Sequence, residues 1–238
     1  LDPMKARFAG AVNHLGGISL FSGIILAASL VFLVPLPDLR GPQVIIYLAV
    51  FLVASVAYIV AVFRLGRDRL PLGLVWGLGI LFRAILLFTE QSLSDDVFRY
   101  IWDGHLLRLG INPYALAVNS PLLDSVAIPI RELVNHDWMA SPYLPAAQLL
   151  FLPLPGNVLV VRILAVILDL SIAILLCASL KRMSIPAAGV LVYLWNPLVL
   201  AEFSNGAHIV DAWMIFLVLL AFWLMLRAGH SPHKQVLL

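Results

Sequence analysis

Charge is scarce in this chain. Only 12% of its 238 residues are Asp, Glu, Lys or Arg, against 62% hydrophobic, and the mean hydropathy is +1.01. That shortage excludes a soluble domain, which cannot hide so much apolar surface from water; lipid is the solvent this composition demands. A net charge of +2 is too small to point to a nucleic-acid partner. Cysteine is nearly absent too. Cys177 is alone and sits in an apolar run, so no intrachain disulfide forms and the redox compartment is unreadable. The sequence has no internal repeat and no low-complexity tract. It also has no clear signal-peptide cleavage site. Lys5 and Arg7 precede the apolar run Ile18 to Val34, but that run is long enough to span a membrane and no small-x-small site follows it, so an uncleaved first helix is expected.

What is present is a series of long apolar runs. A bilayer core needs about 20 apolar residues of helix, and only helices satisfy their own backbone in lipid. Six spans are expected: Gly16–Val34, Val44–Phe63, Leu70–Phe88, Gly156–Leu180, Ile185–Ala201 and Ile209–Leu226. The expected fold is an all-α polytopic bundle, one transmembrane domain over residues 1–238. Lys and Arg near the span ends set its orientation. Lys5, Arg7, Arg64, Arg67, Arg69, Lys181, Arg182, Arg227 and Lys234 fall on one side if all six runs cross. This predicts a multi-pass plasma-membrane protein with a cytoplasmic N-terminus. The Arg40 turn, the loop 89–155 and the Glu202–His208 turn fall on the other side. The run Ala146–Leu154, between Pro145 and Pro153, is too short to span and is expected to dip into the interface or pack on the bundle.

Within that loop lies a polar island, Glu90 to Pro142, and within it Ser94-Asp95-Asp96-Val97-Phe98-Arg99-Tyr100-Ile101-Trp102-Asp103-Gly104. Ser94 suits an N-cap, Asp95 and Asp96 suit a positive helix start, and Gly110 followed by Pro113 suits a stop. The spacing predicts a helix over 95–109. Phe98, Ile101, Trp102, His105, Leu106 and Leu109 form an apolar stripe, opposed by Asp96, Arg99, Tyr100 and Asp103. Such a helix is expected to lie flat on the membrane surface. One reading is a solvated helix with stabilising Asp96–Arg99 and Arg99–Asp103 pairs. The other is chemical: adjacent carboxylates beside a membrane span suit proton abstraction from a hydroxyl or the holding of a divalent metal.

These residues carry a family resemblance. Asp95-Asp96, Arg99-Tyr100, Trp102-Asp103-Gly104 and Gly110-Ile111-Asn112-Pro113-Tyr114 resemble the first extracytoplasmic loop of GT-C-type glycosyltransferases. The nearest likeness is to bacterial polyprenol-phosphate-mannose-dependent mannosyltransferases. Leu133-Val134-Asn135-His136, Pro142-Tyr143-Leu144-Pro145 with Gln148-Leu149-Leu150-Phe151, and Trp195-Asn196-Pro197-Leu198 with Glu202-Phe203 and Gly206-Ala207-His208 are similar to later family stretches in the same order. The likeness covers most of 83–226. The Tyr-Pro-Pro order is scrambled at Pro142–Pro145, and His208 and Asp211 stand one residue further apart than in the usual pattern. Family members commonly carry more helices after this point. The chain is therefore expected to be either the N-terminal part of a longer protein or a reduced relative.

The resemblance implies transfer of a hexose, mannose by the nearest likeness, from a polyprenyl-phosphate donor to an acceptor hydroxyl outside the cytoplasm, with inversion. Asp95 or Asp96 would be the base or would bind a metal; the cofactor is otherwise open. Arg83, Arg99 and Arg162 are candidates for the phosphate, since a leaving phosphate needs positive charge and an intramembrane arginine needs a partner. Asp169, two turns after Arg162, is expected to bond a neighbouring helix. Glu202, His208 and Asp211 are candidates for substrate contact. Tyr100, Asp103, Asn112, Tyr114 and Tyr143 complete the candidate set, and Trp102 and the tyrosines suit stacking on sugar faces. Expected partners are the bilayer, the lipid-linked donor, a glycan or lipid acceptor, and another membrane protein if the chain works as it stands. Two other classes compete: a transporter or flippase with Arg83, Arg162 and Asp169 along its pathway, and an inactive subunit.

Overall fold

The structure, a computed structural model, describes residues 17–36, 38, 41–68 and 70–229. Lys5, Arg7, Arg40, Arg69, Lys234 and the Gly16 boundary lie outside the described residues. Among the described residues the chain is all-α, with no strand.

Each apolar run is helical. α1 (Gly17–Leu33), α2 (Val44–Arg64) and α3 (Leu72–Leu87) precede the polar island. The island opens with α4 (Asp96–Arg108) and closes with the short α5 (Pro145–Phe151). Then come α6 (Val158–Arg182), α7 (Leu191–Leu194), α8 (Pro197–Leu200) and α9 (Ile209–Gly229). With 21, 25 and 21 residues, α2, α6 and α9 are long and apolar enough to cross a bilayer. α1 and α3, with 17 and 16 residues, are apolar but shorter than those three.

In the span Ile185–Ala201 the Asn196-Pro197 pair is expected to form a kink, and the structure breaks there. The span is two pieces, Ala187–Leu194 and Pro197–Asn205, bent by 61°. Pro197 cannot donate a backbone hydrogen bond, and the Asn196 side chain turns to accept from Leu198 N (3.0 Å), so the ladder restarts rather than continues. The second piece ends in a π-helical turn, Ala201–Asn205.

α1 packs on α2 and α3, and α9 packs on α6; the broken pair lies between α3 and α6. The main core joins Leu26 and Leu30 of α1, Phe82 of α3 and Leu194 and Trp195 of the break. Two polar clusters cross this core. The Arg83 guanidinium forms an ion pair with Asp169 and also donates to the carbonyls of Gly79 (2.8 Å) and Leu194 (2.9 Å). The Tyr193 hydroxyl donates to Asp169 Oδ1 at 2.7 Å. One end of the bundle is closed by Arg162, which donates to the carbonyls of Ser204 (2.9 Å), Thr89 (2.8 Å) and Leu86 (2.6 Å). It thereby binds carbonyls at the end of α3.

Candidate active site

α4 starts and stops where its local signals say. Asp95 is the N-cap and Ser94 Oγ accepts from Asp96 N at 3.2 Å. At the other end Gly110 adopts φ +73°, with Gly110 N bonded to Leu107 O (3.0 Å) and Ile111 N to Leu106 O (2.9 Å). That pair of bonds is a Schellman motif, which favours glycine at the left-handed position.

Its setting differs from expectation. The polar stripe expected to face water is covered by protein, as the apolar stripe is. Val97, Tyr100 and Ile101 are buried against Phe151 and Val161, and Trp102 and Leu106 are buried against Val118, Leu123 and Val134. Arg99 and Asp103, on the polar stripe, are buried as well. The reason is coverage by residues far along the chain. Arg99 donates to the carbonyls of Asn135 (3.2 Å), His136 (3.0 Å) and Met139 (3.2 Å). Asp103 accepts from the Ser141 hydroxyl and from Gln148 Nε2 (3.0 Å). Burial raises the Asp103 pKa, and those two hydrogen bonds pull it back in part.

The site itself is where the polar start of α4 meets the turn before α9. Asp96 Oδ1 accepts from Asn135 Nδ2 at 3.3 Å, and Asp96 Oδ2 lies 3.9 Å from His208 Nε2. His208 Nδ1 is bonded to the Glu202 carboxylate. Asp211 follows one turn later in α9 and acts on His208 through its charge. The hydrogen bond to Glu202 raises the His208 pKa above its ordinary value, burial opposes this, and the charges of Glu202, Asp96 and Asp211 add to the rise. The Tyr100 and Tyr143 rings meet edge to face, with centroids 5.3 Å apart. Burial raises both phenols, and Tyr143 is pushed up to about 12, with Asp96 contributing.

Backbone strain aims two of these groups. Among the described residues, three that are not glycine have positive φ: His136 (48°), Ser184 (59°) and Ala207 (57°). His136 follows Asn135, and Ala207 precedes His208. Such outliers persist only where the surroundings hold them. Gly206 makes room for the same arrangement: a Cβ there would meet the Glu202 carbonyl at 2.8 Å and the His208 ring at 3.1 Å.

A cavity of about 190 Å³ opens beside Glu202 and His208. Tyr47, Leu93, Leu198 and Ala201 form its remaining wall together with Gly206. It therefore has a charged side and a mainly apolar side.

The structure thus brings Asp96, Glu202, His208, Asp211, Tyr100 and Tyr143 to one end of the bundle, with Asp95 at the helix cap beside them. Other candidates stand elsewhere. Arg83 is paired with Asp169 in the core, Arg162 closes the end of α3, and Arg99 fastens the loop. None of the three proposed phosphate arginines presents its guanidinium to the cavity. The Trp102 ring is fully buried and Tyr100 nearly so, which removes both as sugar-stacking faces. Asp103 is sealed by Ser141 and Gln148. Asn112 builds a turn, accepting from Tyr114 N at 2.9 Å, and Tyr114 donates its hydroxyl to the Tyr143 carbonyl at 2.6 Å. Asn135 and Tyr47 were missing from the predicted site. Asn135 stood in the Val134-Asn135-His136 stretch; Tyr47 looks like any interfacial tyrosine. Asn205 accepts from Leu93 N (3.0 Å) and donates to Glu90 O (2.7 Å).

Among the described residues, no three His, Cys, Asp or Glu side chains converge as a metal site.

A family model described as the MptA_B family, alpha-(1->6)-mannopyranosyltransferase, N-terminal domain, matches residues 9–237. No curated protein and no solved structure matches the chain.

Proposed function

From a chain that belongs to the alpha-(1->6)-mannopyranosyltransferase family, and is thus a glycosyltransferase of the membrane-helix type, we propose a specific reaction. A mannosyl group passes from a polyprenyl-phosphate donor to an acceptor hydroxyl at the extracytoplasmic surface of the membrane, with inversion. The observation that carries this reading is the meeting of Asp96 with the Glu202–His208 pair beside a cavity that is charged on one side and apolar on the other. A donor with a phosphate head and a hydrocarbon tail has the same two-sided chemistry.

Asp96 is the base. The acceptor hydroxyl donates to its carboxylate, and as the oxygen attacks the anomeric carbon the proton moves to Asp96. The bond from that carbon to the phosphate oxygen breaks on the opposite face, and its electron pair leaves with the polyprenyl phosphate. One displacement inverts the centre. The departing anion needs positive charge, and His208, whose pKa the Glu202 hydrogen bond raises, supplies it when protonated. Asn135 orients Asp96. Asp96 is preferred to Asp95 because it is the one placed against His208 and Asn135. The transport reading has less support, since Arg83, Asp169 and Tyr193 are bonded to one another in the core rather than ranged along a pathway.

The test uses purified chain in lipid nanodiscs with polyprenyl-phosphate mannose and a mannoside acceptor. Asp96→Asn is expected to lower kcat by about 10²–10⁴-fold, as for loss of a general base. Full transfer by that variant would overturn the assignment.

A further inference from the structure

The loop between α4 and α5 holds a second cavity, of about 250 Å³, which the reaction above does not use. Asn119, Arg131, Glu132 and Asp137 give it a polar wall. Val118, Ala127 and Ile128 give it an apolar one. Its frame is fixed. Arg131 donates to Val118 O (2.8 Å), Ser120 O (2.9 Å) and Asp124 Oδ1 (2.8 Å), and its guanidinium lies 5.7 Å from the centre of the buried Trp102 ring. Asn119 N donates to the Asp137 carbonyl at 3.0 Å, which ties two sides of the rim together. A preformed concave site with a few convergent polar groups is what small-ligand binding requires.

The lining selects the ligand class. Glu132 and Asp137 repel an anion, and Arg131 is already matched by Asp124, so a phosphate is disfavoured. Among the described residues no third His, Cys, Asp or Glu joins Glu132 and Asp137, so no all-protein cation cage forms there. The acidic polar wall disfavours a hydrocarbon tail. A neutral polyhydroxyl ring fits: its hydroxyls donate to the carboxylates, accept from the Asn119 amide, and its C–H face lies on Val118 and Ile128.

The cavity and the proposed catalytic carboxylate share one piece of chain. Glu132 and Asp137 line the cavity, while Asn135 between them reaches Asp96. Arg99 pins the carbonyls of Asn135, His136 and Met139, so this segment is held as a unit. Asn135 and Asp137 are two residues apart, at most about 7.6 Å between Cα atoms.

We propose that this cavity is a glycan subsite, taking a sugar ring of an acceptor whose terminal hydroxyl reacts at Asp96. The proposal rests on the transfer reading for its second half only; the cavity's affinity for a glycan stands or falls alone. It commits the acceptor to a glycan of more than one residue.

The full chain in nanodiscs is titrated calorimetrically with α-(1→6)-linked mannotriose and, separately, assayed for transfer to mannotriose and to methyl α-mannoside. Saturable mannotriose binding is expected, weakened at least about tenfold by Glu132→Ala with Asp137→Ala. The same double variant raises KM for mannotriose and leaves KM for methyl α-mannoside unchanged. Asp137→Asn, which keeps the shape and one acceptor oxygen, retains part of the binding. The absence of saturable binding, or equal binding by the double variant, overturns the subsite. Mannotriose binding that depends on Glu132 and Asp137 without any mannosyl transfer keeps the glycan site and defeats the catalytic reading. Transfer whose KM ignores both residues does the reverse.

Discussion

The His208 pKa is raised chiefly by one contact. The Glu202 hydrogen bond is the largest influence raising its pKa, and Asp96 and Asp211 act in the same direction. The leaving phosphate needs the imidazolium, which exists below this raised pKa and is lost as pH rises through it. Transfer is therefore expected to fall on the alkaline side with a midpoint above that of an ordinary histidine. Glu202→Gln removes the main cause of the rise, so the falling limb should move to lower pH; His208→Gln should remove that limb and lower kcat. A pH profile of kcat/KM in the three proteins checks this, and an alkaline limb that stays in place in Glu202→Gln would show that His208 is not the titrating group. The arginines teach the opposite lesson. Arg83, Arg99 and Arg162 each looked like phosphate ligands because an arginine in an apolar setting must have a partner. In each case the partner is protein: a carboxylate and backbone carbonyls for Arg83, and carbonyls of a loop or a helix end for the other two. Sequence marks the need for a partner but not its identity.

α4 depends on its neighbour α5 through one glycine. A Cβ at Gly104 would stand 2.2 Å from the Phe151 carbonyl oxygen and 2.9 Å from its carbon. Backbone cannot yield as a flexible side-chain tip can, so α4 and α5 meet this closely only because residue 104 has no side chain. Gly104→Ala is expected to cost about 1–3 kcal/mol through overpacking, and to disturb Asp96 two turns earlier on the same helix. Thermal melting with parallel transfer assays would show both losses; an unchanged melt would mean that the helices do not meet at this distance. The ends of α4 were legible because their signals are local: Ser94-Asp95-Asp96 at one end and Gly110 at the other placed it to within a residue. Its burial was not legible. The polar stripe of Arg99 and Asp103 looks solvated in a helical projection, yet Met139, Ser141 and Gln148, some forty residues on, cover it. The broken span was half legible. Asn196-Pro197 announced a kink, but the size of the bend follows from packing around Trp195, whose indole donates to Val75 O at 2.9 Å. The joining of His208 to Asp96 was foreshadowed only by both falling on one side of the membrane.

The bundle is organised about a charge buried in its middle and a difference in charge between its ends. In the middle, Arg83 and Asp169 are each almost wholly buried and satisfy one another. Arg83→Met would leave the Asp169 carboxylate there with Tyr193 as its remaining side-chain donor, at an expected cost of about 3–5 kcal/mol. Arg83→Met with Asp169→Leu removes both charges and should recover much of that loss, a comparison that thermal unfolding of the single and double variants makes directly. At the ends, contacts now confirm which termini sit together. Arg182 at the end of α6 donates to the carbonyls of Leu226 (3.1 Å) and Arg227 (3.1 Å) near the end of α9. Asp68, after α2, accepts from the Ser19 amide and hydroxyl (both 2.9 Å) near the start of α1. The basic residues Arg64, Lys181, Arg182 and Arg227 stand in the last turns of helices that end on this side, with Arg67 just after one, while Asp96, Glu202, Asp211 and the acidic loop stand at the opposite end. A bilayer sorts such asymmetry with the positive side in the cytoplasm, so the site should face outward. Cys177, the one cysteine, is buried in α6 and allows a clean test. In a Cys177→Ser background, Leu122→Cys on the exposed loop should react with an impermeant maleimide on intact cells. Met183→Cys, in the turn after α6, should react only once the membrane is opened. The reverse pattern would turn the molecule over, place Asp96 and His208 at the cytoplasmic surface, and remove the reason for a donor that carries its sugar to the outer face on a lipid.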